Sequence, residues 1–434
     1  IYLILPLMID LALTFFVGMA DSIMVASVGE DAVSGVSLID NVMQLLILVF
    51  SAFGTGGAVV AGQFLGAKDE KTACKTTTEL IWFSGIVSLA IMALVYLCSD
   101  LMLDHLFGRI TPEVHYHAER YLFMTAMSIP AISLYQSCTA SFRTMSYSRV
   151  IMILSLIMNV INVGGNAFFI YFCKWGTCGA ALSTTIARYA VAVIAIILLL
   201  DQKKVLHLKP SLRYRPDMYL VKKILSIGVP SGVENGLFQL GKIIILRLAA
   251  RFGTAAIAAN SITTVIAGIE CIPGHAMQLA GTTMISRCVG ANDEEQTRYY
   301  NRIVLAISYI AMGSICLAVA VFLPQILSIY HLSDEAYRLT WQMSMFHAAG
   351  ATLIWTPTFV LPASMRAAGD VKFTMIISGI SMWIFRIIPS YLFSLNLHMG
   401  AFGIWVAMQV DWLFRTIVFV WRWKSGKWRG RSVV

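Results

Sequence analysis

The sequence predicts an all-α membrane protein of twelve transmembrane helices, in two six-helix lobes related by a pseudo-twofold axis along the membrane normal. Three observations lead there: an apolar composition, twelve apolar runs of spanning length, and an internal repeat. The 434 residues are 58% hydrophobic and only 13% charged, with a mean hydropathy of +0.75. A soluble domain is roughly half apolar and a quarter charged. A bilayer core needs about 20 apolar residues per helix. Such runs fall near 4–27, 36–64, 76–99, 119–142, 150–172, 177–200, 227–250, 257–286, 300–325, 339–364, 373–396 and 400–421. They are too long and too evenly apolar for barrel strands, and open strands leave their backbone unsatisfied in lipid.

The net charge of +9 raises nucleic acid as a partner, but its distribution excludes that. With the N-terminus cytoplasmic, the inner loops and tail hold 22 Lys and Arg and the outer loops 5. The outer five are Arg109, Arg120, Lys174, Arg251 and Arg338; the inner set includes Lys209, Arg213 and Arg215. This is the positive-inside bias. It predicts a multi-pass protein of the plasma (inner) membrane with both termini cytoplasmic, and a basic tail (Arg422 to Arg431) that touches anionic lipid. No cleavable signal is visible; the first span inserts the chain, and a start at Ile1 reads as a trimmed one. The eight cysteines show no metal spacing. Cys173 and Cys178 flank one outer loop, and free thiols are favoured over a pair.

The repeat appears at a shift of 224 residues. It overlays Pro6 on Pro230, Gly29 on Gly253, Ser37 on Ser261, Gly57 on Gly281, Gly66-Ala67 on Gly290-Ala291 and Asp69-Glu70 on Asp293-Glu294. Gly176 and Gly179 meet Gly400 and Gly403, and Arg143 meets Arg366 at a shift one shorter. Each half has an even number of spans, so both copies enter the membrane the same way round. The expected division is an N-lobe over 1–200, a cytoplasmic linker over 201–226, and a C-lobe with its basic tail over 227–434. Two equivalent bundles around a cleft suit alternating access.

A carboxylate inside a spanning helix is expensive and marks a function. Asp21 is such a group, about 9 Å from the outer end of the first span. Asp40, in the second span, has a similar depth. Either it faces Asp21, raising one pKa as proton coupling requires, or it points to a hydrated outer cleft. Asn162 and Asn166, four apart, share a helix face; their amide oxygens suit a hard cation or an interhelical hydrogen bond. Arg188 shares a face with Thr184, and reaching Asp21 it would exclude Na⁺ and favour H⁺. In the second half, Lys242 with Glu270 and Arg386 with Asp411 read as structural ion pairs between neighbouring helices, because pairing offsets the penalty of a lone buried charge. Glu234 overlays Asp10 by the repeat. Each is a substrate contact or a hydrated cleft acid, and together they would draw cations to the inner vestibule.

The run Gly18-Met-Ala-Asp21-Ser-Ile-Met-Val after Pro6, Gly54-Thr-Gly-Gly-Ala and Gln63-Phe-Leu-Gly66-Ala resembles the multidrug and toxic compound extrusion (MATE) transporters. So do Asn162-Val-Gly-Gly-Asn166, Gly179-Ala-Ala-Leu-Ser-Thr184 and Gly253-Thr-Ala-Ala-Ile-Ala-Ala-Asn260. The resemblance covers essentially the whole chain. It implies antiport of organic cations against inward H⁺ or Na⁺, with no resident cofactor. It also implies a cation-coupling site at Asp21, Asn162, Asn166 and Thr184, similar to the archaeal and DinF-like branch, and a gating bend at Pro6. Asn166 stands where that branch can have an acid, one negative charge fewer. Another branch places acids in the seventh and tenth helices. Here Glu234 lies about one turn nearer its proline, and the tenth span, with Trp355-Thr-Pro-Thr, has no acid.

The expected function is therefore export of amphipathic, cationic drugs or toxic compounds by a monomeric secondary antiporter. The competing transport reading is a lipid or lipid-linked saccharide flippase, which wants a cationic cavity for a pyrophosphate. An enzyme is not expected: no metal-spaced His/Cys set, nucleotide loop or catalytic acid pair is present.

Overall fold

The computed structural model describes residues 3–103, 111–208, 216–330 and 332–433. Arg109, Lys209, Arg213 and Arg215 lie outside the described residues. Among the described residues the longer helices group into twelve segments in order, one of them (112–144) interrupted at 127–128. These are α1 (Ile4–Ala26), α2 (Glu30–Gly66), α3 (Glu70–Leu97), α4 (112–144), α5 (Ser148–Phe172) and α6 (Gly176–Leu199). They continue as α7 (Met218–Ala249), α8 (Thr254–Gly290), α9 (Glu294–Ser328), α10 (334–367), α11 (Val371–Asn396) and α12 (Phe402–Lys424).

Nine of these are long and apolar enough by composition to cross a membrane. The remaining three are α4, α7 and α10. α4 is interrupted into helices of 15 and 16 residues, the first with the polar run His-Tyr-His-Ala-Glu-Arg over 115–120, and the first turns of α7 carry Lys222 and Lys223. The surface is apolar as well. Ile310 and Leu353 stand mid-helix at 71% and 69% exposure, which suits lipid and not water. This is a multi-pass membrane protein.

The repeated residues are mostly punctuation. Asp69 caps α3 by accepting from the Thr72 N–H at 3.0 Å, and Asp293 caps α9 by accepting from the Gln296 N–H at 2.9 Å. That bond holds the Asp69 carboxyl below the usual carboxylate range. Gly176 and Gly400 both sit in left-handed backbone, at φ +54° and +60°, where a Cβ would be strained. Gly179 and Gly403 are close approaches. A Cβ would meet Phe169 Cβ at 2.8 Å in the first case and Ser394 N at 2.8 Å in the second.

By its internal contacts the chain forms two units, Ile1–Gly232 and Val233–Val434, so the division falls inside α7 and not in the 201–226 stretch. The first turns of α7 belong with unit 1 because a glycine lets them in: Gly228 lies beside the Ala52 carbonyl. Lys75 at the start of α3 pairs with Asp217 at 2.5 Å, and its hydrogen bond holds that carboxyl low. In unit 1, α1 runs along α5, α2 packs on α3 and α4, and α5 on α6. In unit 2, α8 packs on α9 and α10, and α12 on α10 and α11. The unit 1 core includes Val36, Ile39, Met43, Phe50 and Leu122. Cys173 and Cys178 are free thiols.

Candidate functional site

Unit 1 gathers Asp21 from α1, Asn162 and Asn166 from α5 and Thr184 from α6. The 3.6-residue turn brings residues 162 and 166 to one face of α5, and α1 lies along that face. Asn166 donates from Nδ2 to Asp21 Oδ1 at 2.7 Å. Asn162 and Asn166 are 6% and 1% exposed and Asp21 is half-buried, so this is a partly buried carboxylate held by amides.

The Asn162 amide stands between Thr184 and Asp21. Its nitrogen donates to Asp21 Oδ1 at 2.6 Å and Oδ2 at 3.1 Å, and its oxygen accepts from Thr184 Oγ1 at 3.0 Å. This orientation suits an ionised Asp21. A protonated Asp21 would instead donate its O–H to the amide oxygen, which requires the amide to turn. The buried Asn166 Oδ1 accepts no hydrogen bond.

Asp40 is exposed on α2 and has its own partner: the Tyr121 hydroxyl donates to Oδ1 at 2.9 Å. It acts on Asp21 electrostatically. Arg188 donates from Nη1 to Ser128 Oγ at 2.7 Å, and its charge is felt by Asp21 and Asp40 without an ion pair to either. With both acids ionised, two negative charges stand against one positive. A single proton makes the cluster neutral. Pro6 lies near the start of the described part of α1, and the helix runs on without interruption from there to Ala26.

The expectation of free acids at Asp10 and Glu234 needs correction. Arg366 donates from Nη1 to both Glu234 oxygens at 3.2 Å, and Ser378 donates to Oε1 at 2.8 Å. In unit 1, Asp10 has Ser155 and Arg143 as its neighbours. The repeat relates the two sets, acid with acid, arginine with arginine and serine with serine. Glu234 is neutralised within unit 2, so it does not lend the field that the sequence reading assigned to the inner vestibule, and Asp10 lies within the electrostatic reach of Arg143.

The Lys242–Glu270 pair is also corrected. Glu270, fully buried, takes His347 as its partner. Counted from the α7–α8 connection, Lys242 is about 10 Å along α7 and Glu270 about 24 Å along α8. That offset of roughly 14 Å keeps them apart. Lys242 instead stands over the Phe238 ring, 5.0 Å from its centroid. Arg386 and Asp411 have matching depths and do pair, Nη1 to Oδ2 at 3.7 Å. The closer partner of Asp411 is Arg415, at 2.9 Å, and Ser381 also donates to it.

Sequence reasoning missed Arg415, His347, Ser378 and Tyr121. Arg415 follows Asp411 by four residues, a spacing that predicts a pair on one helix. His347 is a lone imidazole in an apolar stretch, which is a weaker signal. Ser378 and Tyr121 carry none.

The comparisons follow the same repeat. A family model described as MatE matches residues 6–168 and 230–392, two copies set 224 residues apart. The chain is 28% identical to the uncharacterized transporter YisQ of Bacillus subtilis, over 98% of this chain and 93% of that one. It is 23% identical to the probable multidrug resistance protein NorM of Thermotoga maritima, over 100% of this chain and 93% of that one. A solved outward-facing multidrug resistance MATE family transporter of the MOP superfamily shares the fold, with TM-score 0.92 at 18% identity, over 99% of this chain and 95% of that one.

Proposed function

We propose, from the premise that this chain belongs to the MatE family of multidrug transporters, that it exports amphipathic organic compounds, cationic ones among them, in exchange for inward H⁺ taken up at Asp21. The observation that carries this reading is the half-buried Asp21 carboxylate held between the Asn162 and Asn166 amides. Family membership and relatives named as multidrug resistance proteins support a drug exporter over the flippase.

The cycle follows from the site. Ionised, Asp21 accepts charge-assisted bonds from Asn162 and Asn166 and holds α1 to α5. Charged hydrogen bonds contribute about 1.5–3 kcal/mol each, against about 0.5–1.5 for neutral ones. A proton arriving at Asp21 removes that difference. Asn162 turns its oxygen to the new O–H and its nitrogen to Thr184, and the tether between α1 and the α5–α6 pair weakens. The released α1 adopts the arrangement that lets substrate go. The proton then leaves on the other side and the tether re-forms. Arg188 supplies a resident positive charge beside the two acids, which favours H⁺ over Na⁺ as the driving ion. Both termini are cytoplasmic in this reading, and one chain suffices.

Flux from vesicles under separately imposed pH and Na⁺ gradients tests the proposal. The pH gradient alone should drive export, and Asp21→Asn should abolish it. Export driven equally by Na⁺, or normal pumping by the variant, contradicts it.

A further inference from the structure

Residues 425–433, after α12, fold back on unit 2 in a shape that glycine builds. Gly426 and Gly430 take left-handed backbone at φ +72° and +65°, which a Cβ would strain. Between them Trp428 is buried. It stacks on Trp423 of α12 at 4.4 Å between ring centroids, and its indole N–H donates to the Trp423 carbonyl at 3.1 Å.

The returning segment lies across two turns. Arg429 Nε reaches Glu294 Oε2 at 3.1 Å, where the α8–α9 turn enters α9. Arg431 Nη1 reaches Asp370 Oδ1 in the α10–α11 turn, also at 3.1 Å. The Asp370 carboxylate is fully buried and already holds a bidentate partner, Arg422, at 2.9 and 3.2 Å. Its charge is balanced without Arg431, so the Arg431 bond serves to hold the segment. Gly369 makes room for it: at φ +93° a Cβ there would run into the Arg431 carbonyl. The sequence reading assigned this basic tail to anionic lipid, yet Arg422, Arg429 and Arg431 all turn to carboxylates of unit 2.

Unit 1 has a counterpart after α6. Residues 201–208 cross the equivalent turns. The Cys74 thiol of α3 donates to the Val205 carbonyl at 3.0 Å, and the Leu206 N–H donates to Met145 Sδ, at the end of α4, at 3.3 Å. The 224-residue shift sets Val205 on Arg429 and Met145 on Gly369. The two straps differ in what closes them. The first is closed by apolar burial, of Leu206 and Leu208. The second is closed by charge, between side chains that are 39% exposed at Arg429, 51% at Glu294 and 46% at Arg431. Apolar burial is not weakened by added salt, whereas half-exposed ion pairs are screened by it.

We infer that residues 425–433 are an ionic latch. Shut, it binds the α8–α9 turn, the α10–α11 turn and the end of α12 into one block. Released, it lets the two turns move separately. The strap of unit 1 is its permanently closed counterpart. The latch goes beyond the transport reading and does not depend on which ion drives transport.

Hydrogen–deuterium exchange of the full chain in phosphatidylcholine nanodiscs tests this, because all four turns are read in one protein. They are 67–70 and 145–148 in unit 1, and 290–294 and 367–371 in unit 2. At about 1 M NaCl the Debye length falls to about 3 Å. Both unit 2 turns should then exchange about fivefold faster, as the loss of two half-exposed ion pairs provides. Both unit 1 turns should hold. Arg429→Gln combined with Arg431→Gln should reach the released rate at low salt and lose the salt response, and Arg429→Lys with Arg431→Lys should keep it. If the glutamine variant does not fold, the salt response of the wild type decides alone. Unchanged exchange in the unit 2 turns, loosening of only one of them, or equal loosening of all four turns overturns the latch.

Discussion

Replacing Asp21 by asparagine keeps the shape of the side chain and removes its charge. In the structure this carboxylate accepts from Asn166 at 2.7 Å and, with the Asn162 amide turned toward it, from Asn162 at 2.6 and 3.1 Å. Charged and neutral hydrogen bonds differ by about 1 kcal/mol each, so two amide partners lose about 2 kcal/mol. That shifts the balance between tethered and released α1 by roughly 30-fold. Hydrogen–deuterium exchange over residues 4–26 reads it directly. At neutral pH, Asp21→Asn should exchange faster by that order. At acid pH the wild type should catch up, because its own carboxylate is then protonated. Transport should change in step. A pH gradient of one unit supplies about 1.4 kcal/mol per proton, about a tenfold accumulation ratio at one proton per uncharged substrate. In the variant that ratio should fall to unity. Equal protection of α1 in both proteins at neutral pH refutes the tether.

Arg188→Gln removes the resident positive charge beside Asp21 and Asp40, and a Na⁺ gradient should then drive export that it does not drive in the wild type. Arg415→Met leaves the fully buried Asp411 with the Ser381 hydroxyl and the 3.7 Å approach of Arg386. Stability should drop by about 3–5 kcal/mol, as breaking a buried pair does, read as a lower melting temperature in detergent. Gly179→Ala and Gly403→Ala each set a Cβ 2.8 Å from a neighbouring atom. Each should destabilise the protein by about 1–3 kcal/mol, and to a similar degree, because the repeat makes the two sites equivalent.

The architecture was legible in the sequence because helix length, apolarity and the repeat each constrain it independently. The turns were legible for the same reason: Asp69 and Asp293, or Gly176 and Gly400, are fixed by local sterics and capping that the chain carries with it. The Asp21 centre was legible through the resemblance and through the spacing of Asn162 and Asn166. Partner choice in unit 2 was not. The sequence reading paired Lys242 with Glu270 across neighbouring helices, but α8 runs 37 residues and carries Glu270 well past the depth of Lys242, to His347. Depth also says nothing of direction around a helix, so the pairing of Glu234 with Arg366 was invisible. The repeat already overlaid Asp10 on Glu234 and Arg143 on Arg366. Those two overlays joined across helices give the Glu234–Arg366 pair of unit 2 and set Arg143 near Asp10 in unit 1, a step that needs the helices to be packed first.

Counter-transport of protons is the central claim, and the direct measurement is of the protons themselves. Purified protein is reconstituted in weakly buffered vesicles with a pH dye inside, a dye substrate is loaded, and its exit is followed together with internal pH in the absence of Na⁺. Substrate exit accompanied by proton entry in the wild type, with both lost together in Asp21→Asn, is the predicted result. Exit without proton entry, or proton entry unchanged in Asp21→Asn, contradicts the account.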